Sequence, residues 1–531
     1  MLKKAVYQTY TAFCLEGHME KTRKYLDHLI QILLEGYLFV MFTLFPLYVG
    51  PRKYEEITYD KYDLFMKASM ILAVGFVLLQ IMRMILCRKE IKVQKPVLTA
   101  SDLCAILYAA AVLISYLFAH DRSEALKGAI GWYTGFLTQA VMIMIYFLYS
   151  SFYHWNKRVI VYMMSGSFLV ILLAVLNRFR ICLIDPENYV STFISTIGNI
   201  NWLASFLVIT VTFVTGMYIA GIFKHRYTSI PAVIYLYFGY AALVTNGSNS
   251  VYPALLAMLV FMIVFGLSDK DVMMRVLVCV ILFFGTYECL GIYGMIYGST
   301  AYETLLRNIS NLSESFIAMH CGAMAMLAAA GALLYLHKQP DSRLIRSEKE
   351  IEYVLKALCA AGLLIILAVL LIQVTGIIDM PDTFGHNRGL IWRLSRKVYH
   401  ELPLYRKLIG VGPDSYGNYT MLDWDFMMQL MEYYPNMRVT TAHSEPFTTL
   451  INLGIAGAAA YLAMIFSTVF SVLKGRTEAE KAYRIPVILA LVSYHVNMLV
   501  SFQIVPTLPY LFLILAFSRC SFSGRKGLQS E

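Results

Sequence analysis

Residues 354–377 read VLKALCAAGLLIILAVLLIQVTGI and contain a single charged residue, Lys356. About 20 apolar residues are enough for one helix to cross the hydrocarbon core of a bilayer. The run therefore predicts a membrane-spanning helix. Similar runs recur along nearly the whole chain, about fourteen in all by the same length rule. They lie near residues 29–50, 65–87, 102–119, 128–150, 158–177, 201–222, 229–245, 250–267, 272–293, 315–336, 354–377, 446–473, 485–503 and 506–519.

The composition agrees with this interpretation. Of 531 residues, 59% are hydrophobic and only 15% are charged, whereas a soluble domain carries roughly 25% charged residues. A soluble globular enzyme, a disordered protein and a fibrous protein are thereby excluded. We predict an all-α, polytopic integral membrane protein with about 12–14 transmembrane helices and one long external loop. Pro506 and Pro509 leave two alternatives for the last two runs, a helical hairpin or one broken helix.

The formal net charge of +10 indicates orientation in a membrane rather than a nucleic-acid partner. With the N-terminus placed inside, Lys and Arg of the short loops fall mostly on the inside set, as cytoplasmic loops do. This alternation predicts that the chain is a multi-pass protein of the cell membrane with both termini cytoplasmic. The polar first 28 or so residues precede the first apolar run, which favours a retained signal anchor over a cleaved signal peptide.

The nine cysteines are scattered and form no Cys-x-x-Cys pair. Neither a zinc site nor a disulfide framework is therefore expected.

The stretch 378–445 is the longest polar interruption and is predicted to be external. It divides the chain into N-terminal transmembrane helices (1–377), a large external loop that carries the site residues (378–445) and C-terminal transmembrane helices (446–531). Loops longer than about 15 residues are usually functional or disordered. Aromatic residues among the charges, including Trp392 and Trp424, favour a folded cap here.

Arg388 opens an amphipathic segment within this loop. Leu390, Ile391, Leu394 and Val398 recur behind it at helical spacing. A guanidinium at a helix start can bind a diphosphate with two parallel hydrogen bonds, and the backbone N–H groups there also favour an anion. The alternative is a basic helix that lies on lipid head groups.

Further along, Gly410-Val-Gly412-Pro413-Asp414 predicts a tight turn after a short apolar element. The loop ends at His443, directly before a membrane helix that begins near Pro446, and Ser444 is a possible cap for that helix. An imidazole at this boundary is suited to taking a proton from a hydroxyl. A purely structural histidine is the alternative.

Two outer turns complete the set of candidate residues. Gly198-Asn199-Ile-Asn201-Trp202 opens the sixth span, where the paired Asn residues either bind sugar hydroxyls or cap the helix. The turn Thr245–Ser250 joins the seventh and eighth spans and carries no charge.

Together, these features resemble the O-antigen ligase / O-antigen polymerase superfamily of bacterial envelope proteins. The similarity rests on Gly198-Asn199-x-Asn201, on Arg388 with Trp392, and on the turn between Pro403 and Gly412. It also rests on His443 followed by Gly454 and Gly457, and it covers roughly residues 100–520. The resemblance implies glycan transfer from a polyprenyl-diphosphate carrier to an acceptor hydroxyl on a glycan or lipid, without metal or cofactor.

By the same resemblance, Arg388 would hold the donor diphosphate and His443 would act as the general base. Arg438, Asn199, Asn201 and Trp392 are candidate substrate-binding residues. One departure is that many family members have Ser-Arg-Gly between the spans that match seven and eight, whereas this chain has Ser248-Asn249-Ser250. The outer-side arginines that could replace the missing one are Arg178, Arg180, Arg307 and Arg438.

Three functions fit this sequence. We favour a ligase-type glycosyltransferase of the cell membrane that acts in cell-surface polysaccharide biosynthesis. A polymerase of polysaccharide repeat units is the nearest alternative, and the motifs do not separate the two. A transporter or flippase of lipid-linked glycan belongs to another class, and it would place charged residues mid-membrane in several spans.

Overall fold

The computed structural model describes residues 2–87, 98–185, 193–297, 316–338, 346–435, 438–475 and 478–522. Within these ranges the secondary structure is helical except for one antiparallel pair of two-residue strands, β1 (Phe193–Ile194) and β2 (Gly198–Asn199). The predicted all-α fold is confirmed for the described part of the chain.

The helices follow the predicted apolar runs. In chain order they are α1 (Leu2–Phe39), which continues as a π-helix over Val40–Leu44, α2 (Phe45–Leu47), α3 (Ile57–Leu86), α4 (Ala100–Leu117), α5 (Arg122–Lys127), α6 (Phe136–Phe152), α7 (Arg158–Arg178), α8 (Ile200–Ile219), α9 (Arg226–Thr245), α10 (Val251–Gly266), α11 (Lys270–Tyr297), α12 (Phe316–Lys338), α13 (Glu348–Thr375), α14 (Phe384–Glu401), α15 (Leu404–Ile409), α16 (Tyr416–Thr420), α17 (Trp424–Tyr433), α18 (Glu445–Leu473), α19 (Glu478–Met498) and α20 (Leu508–Phe522).

Ten helices in the described ranges are long and apolar enough to cross a membrane. Three shorter apolar helices, Phe136–Phe152, Val251–Gly266 and Leu508–Arg519, account for three further runs, and α19 covers the remaining one. All of the predicted runs therefore contain a helix. A total of about 12–14 spans requires some of these four also to cross the bilayer, and it stays a prediction.

The structure corrects one predicted helix boundary and decides between the two alternatives for the last two runs. The fourth span begins at Phe136 rather than near residue 128, because Gly128, Gly131 and Tyr133 have positive φ angles that a helix does not accommodate. The last two runs form separate helices, α19 and α20, which pack against each other. The hairpin is thus the arrangement found, and residues 499–507 form its irregular connection.

Helix α8 lies at the centre of the bundle and is 94% buried over its most apolar window. It packs against α19, while α18 packs against α4. At the first contact a Cβ on Gly216 would lie 2.3 Å from the Cα of Pro486. Small residues such as glycine let membrane helices approach closely. Close packing matters there because the hydrophobic effect does not drive helices together within lipid.

Several contacts between described loops join loops that the predicted alternation of spans assigns to the same side, and they define two groups. In the first group Lys53 pairs with Asp185 at 3.0 Å and Arg438 pairs with Glu124 at 2.8 Å. In the second group, the backbone N–H of Arg346 donates to Leu267 at 2.8 Å, and the indole of Trp155 donates to Tyr483 at 2.7 Å. Loop 378–445 belongs to the first group. That this group faces the cell exterior is a prediction from the Lys and Arg distribution.

That orientation can be tested by labelling intact cells with an impermeant maleimide, in a variant of the protein that lacks the nine native cysteines. Trp424→Cys, at a side chain 69% exposed in loop 378–445, should be labelled. Ser347→Cys, at an exposed residue of the second group, should be labelled only after the membrane is permeabilised. Labelling of Ser347→Cys alone in intact cells would overturn the predicted orientation.

Candidate functional site

Loop 378–445 is a folded cap with its own apolar core. Leu390, Ile391, Leu394 and Val398 are all buried, which confirms the predicted amphipathic helix. This core continues into the first turns of α18 through Phe447. The folded cap that the aromatic residues predicted is therefore present, and it sits on α18.

The start of helix α14 gives Arg388 its position. Gly385, His386 and Asn387 have positive φ angles, so the regular helix begins only at Arg388. A Cβ on Gly389 would lie 2.0 Å from the carbonyl oxygen of Pro381. Only glycine fits at that crossing, and Arg388 is thereby held against the preceding turn.

The predicted glycine turn docks the cap on α18. Helix α15 ends at Ile409, and Gly410 and Gly412 follow with φ angles of 82° and 129°. The backbone N–H of Gly412 donates to the carbonyl of Asn452 at 3.0 Å. That carbonyl lies near a kink in α18 at Gly454, where φ is 68° and ψ is −175°. The turn and the kink thus fit each other through backbone contacts.

The guanidinium of Arg388 is partly buried and has few partners. Its Nη1 donates to the carbonyl of Gly385 at 3.2 Å, and its Nε has no hydrogen-bond partner. Among the described residues no carboxylate pairs with it, and burial lowers its pKa. Five residues later, Arg393 forms a two-pronged ion pair with Asp382 at 2.9 and 2.8 Å. Asp382 thus neutralises Arg393, whereas Arg388 retains capacity for an anion.

His443 lies near enough to Arg388 for the charge of the guanidinium to act on its imidazole. Its φ angle is 50°, a left-handed value that is uncommon for a residue other than glycine. Its ring packs edge-on against Phe502, with centroids 5.1 Å apart, and its ring nitrogens have no hydrogen-bond partner in the described part of the chain. Burial first, and the positive charge of Arg388 second, lower the pKa of His443 to about 4. The imidazole is therefore neutral at physiological pH, with lone-pair capacity to accept a proton.

The residues around His443 hold its segment in place. The indole Nε1 of Trp392 donates to the carbonyl of Ala442 at 3.0 Å. Ser444 occupies the cap position of α18 but makes no side-chain cap bond. Its hydroxyl instead donates to Gln373 of α13 at 3.1 Å. Trp392 thus fixes the backbone next to His443, and its contact with substrate stays a prediction.

Arg438 and the paired asparagines are already engaged within the protein. Arg438 pairs with Glu124, as described above. The Asn199 side chain accepts the backbone N–H of Asn201 at 2.8 Å and caps α8. Asn201 in turn accepts the hydroxyl of Ser248 at 2.8 Å. Of the two alternatives for Asn199, the structure shows the helix cap. Substrate contacts of Arg438, Asn199 and Asn201 stay predictions.

Arg178 reaches the turn Thr245–Ser250, which corresponds to the place where the resembled family carries an arginine. Its guanidinium, which is buried, donates to the carbonyl of Asn246. Of the other three candidates, Arg180 is exposed just beyond the end of α7, Arg438 is paired with Glu124, and Arg307 lies outside the described residues. Arg178 is therefore the described candidate best placed to substitute for the missing arginine.

Sequence reasoning missed an aromatic row that leads from α8 to His443. The ring of Trp132 lies 5.6 Å from that of Trp202 and 4.5 Å from that of Phe502, and Phe502 contacts His443. These residues come from the loop before α6, the start of α8 and the connection before α20. Trp202 belongs to the quoted stretch at the start of α8, but no periodicity or motif marks Trp132 or Phe502, because each is a single aromatic residue in an irregular segment.

A cleft opens beside this row, and its empty volume of about 450 Å³ includes space that is open to solvent. Glu445 lies in its wall, and its two carboxylate oxygens accept the Thr449 hydroxyl at 2.6 Å and the backbone N–H of Gln503 at 2.8 Å. Asp414 also lines the cleft. The full lining is Tyr108, Trp132, Thr134, Gln139, Pro413, Asp414, Thr441, Glu445, Thr448, Thr449, Asn452, Leu453, Phe502 and Gln503.

Asp414 ties the glycine turn to the loop before α6. One of its oxygens, Oδ2, accepts the backbone N–H groups of Ala129 at 2.9 Å and Thr134 at 3.0 Å. Burial raises its pKa to about 7 in spite of these bonds. The carboxyl thus takes up a proton in the folded protein at pH values where it is ionised in the unfolded chain.

This shift predicts a pH-dependent stability. Because the folded pKa lies above the unfolded one, the contribution of Asp414 to stability is greatest below about pH 4 and declines as pH rises to about 7. Asp414→Asn keeps an oxygen for both N–H groups and removes the titration. We expect the variant to gain a few degrees in unfolding temperature over the wild type at pH 7, and much less at pH 4. Thermal unfolding in detergent at several pH values measures this, and an equal shift at every pH would contradict it.

Comparison with known proteins gives no further assignment: no family model matches the chain, and neither the curated proteins nor the solved structures contain a match. Within the described ranges no group of three or more His, Cys, Asp or Glu side chains is placed to hold a metal ion. The candidate site therefore rests on its own geometry and on the sequence resemblance.

Proposed function

We propose that this chain is a membrane glycosyltransferase of the O-antigen ligase type. It transfers a glycan from a polyprenyl-diphosphate carrier to an acceptor hydroxyl on the outer face of the cytoplasmic membrane. One observation carries the proposal: a partly buried arginine that no described carboxylate neutralises lies within electrostatic range of a histidine held neutral. The first suits a diphosphate leaving group and the second suits a proton acceptor.

In the proposed reaction the acceptor oxygen bonds to the anomeric carbon as the bond from that carbon to the diphosphate oxygen breaks. The electron pair of that bond leaves with the diphosphate, which the guanidinium of Arg388 stabilises. The hydroxyl proton moves to a ring nitrogen of His443, and the anomeric configuration inverts. The arriving diphosphate is negative, so it raises the pKa of His443 and makes the imidazole a stronger base only when donor is bound.

A polymerase of repeat units would use the same chemistry with a lipid-linked acceptor. A flippase would bind the same donor and break no bond. The test is the purified chain in proteoliposomes with a labelled polyprenyl-diphosphate oligosaccharide, offered either a glycolipid acceptor or a second lipid-linked unit. The proposal expects labelled glycolipid and free polyprenyl diphosphate, without added metal and in the presence of a chelator.

The other outcomes separate the alternatives. Elongation of the lipid-linked unit instead of the glycolipid would indicate a polymerase. Movement of intact donor across the bilayer, without release of polyprenyl diphosphate, would replace the enzyme proposal with a transporter.

A further inference from the structure

The cleft beside His443 has the lining of a carbohydrate site. Trp132 and Phe502 supply aromatic walls, and Asn452, Asp414 and Glu445 supply polar groups. Aromatic faces pack against the C–H faces of sugar rings, while carboxylate and amide groups bind the hydroxyls. No Lys, Arg or His is among the lining residues.

The charge of the lining narrows the class of ligand. The lining offers no cation to neutralise a phosphate or another anionic group, and its carboxyl groups repel such a group when they are ionised. The donor diphosphate therefore belongs at Arg388, outside this cleft. A neutral sugar, or one that bears an amine, fits the cleft instead.

The polar groups also retain capacity for a ligand. Asn452 is 8% exposed, and its Oδ1 has no hydrogen-bond partner. A buried polar atom without a partner is costly, and a ligand hydroxyl would satisfy it. Glu445 accepts one bond on each oxygen, and a carboxylate has about four acceptor positions in all.

The cleft adjoins the proposed base. Thr441 and Glu445, two residues before and after His443, both line it. Phe502 lines it as well and contacts the His443 ring. A hydroxyl of a ring bound between Trp132 and Asn452 would therefore lie on the side of the imidazole.

We propose that this cleft binds the acceptor sugar, a neutral or amino-bearing pyranose, and presents one of its hydroxyls to His443. The role as acceptor rests on the function proposed above, whereas sugar binding itself does not. Trp132 stacks on the ring, and Asn452 with Glu445 receives its hydroxyls.

Binding can be measured without donor or turnover. The full chain in nanodiscs is titrated with methyl glycosides of glucose, galactose, glucosamine and N-acetylglucosamine, and with glucose 6-phosphate as the anionic probe. Saturation-transfer NMR detects sugar protons that contact the protein. We expect transfer to at least one neutral or amino-bearing probe and none to the phosphate.

Two variants locate the site. Asn452→Ala removes an oxygen without a partner and leaves in place the backbone carbonyl that holds the glycine turn, so folding should be kept. Trp132→Leu removes the stacking face. Each should weaken binding about tenfold, the usual scale for losing one well-made polar or aromatic contact. Trp424→Leu, at an exposed tryptophan of the cap, is the matched control and should bind as the wild type does.

The outcomes separate the two proposals. Sugar binding that these variants weaken, in a protein that transfers no glycan, would keep the sugar site and remove the glycosyltransferase. Transfer activity with no probe bound, or with binding that Asn452→Ala and Trp132→Leu leave unchanged, would remove the sugar site and keep the enzyme.

Discussion

Arg388→Ala should reduce glycan transfer by about 10²–10³-fold, the scale for removing one preorganised group that stabilises developing negative charge. The same variant should unfold at the same temperature as the wild type or at a higher one. A guanidinium that is partly desolvated and has no carboxylate partner destabilises the unliganded protein, because the lost hydration of its charge is not compensated. A site residue of this kind therefore improves function at a cost in stability.

Arg393→Ala is the matched control on the same helix. It breaks the two-pronged ion pair with Asp382 and should lower the unfolding temperature, with a smaller effect on transfer. Arg388→Lys should recover little activity, because an ammonium lacks the planar fork that meets two phosphate oxygens together. Transfer rates and thermal unfolding of the three purified variants measure both patterns. Full activity in Arg388→Ala would remove this residue from the site, and full activity in Arg388→Lys would mean that charge alone matters.

The sequence predicts those features of the fold that arise from residues close to one another along the chain. Leu390, Ile391, Leu394 and Val398 share a helix face, so their spacing alone indicates burial, and the structure has them buried. The apolar runs predicted helices in the same way. That Arg388 and His443 belong to one site could be predicted only from the family resemblance, because 55 positions separate them in the sequence.

The cleft could not be predicted, because its lining residues come from loops with no shared pattern. Trp132, Asp414 and Phe502 meet only after α4, α6, α18 and α19 have packed. Lys61 is a second example, since it stands in a predicted outer loop but is fully buried in α3. Its ammonium donates to the carbonyls of Phe45 and Pro46 at 2.9 and 3.1 Å, and so it satisfies the end of the first span rather than marking a site.

For His443, we expect both His443→Ala and His443→Gln to lose about 10²–10⁴-fold in transfer rate, as for other general bases. Donor binding should survive in both variants. A histidine with a structural role would act through hydrogen bonds that glutamine can replace. The ring nitrogens of His443 have no such partner in the described part of the chain, so glutamine should not rescue. His400→Gln, in the same cap, is the control: its ring contacts the carbonyl of Val374 at 2.8 Å, and the variant should stay active.

The pH profile tests the same assignment from another side. Because the pKa of His443 is lowered to about 4, the free enzyme holds an unprotonated base, and kcat/KM should show no imidazole limb between about pH 5 and 8. Bound diphosphate raises that pKa, so the acid limb of kcat should appear at a higher pH than that of kcat/KM. Both profiles come from initial rates at saturating and limiting donor. Near-normal turnover in His443→Gln, or identical profiles for kcat and kcat/KM, would remove His443 as the base and leave Arg388 to act without it.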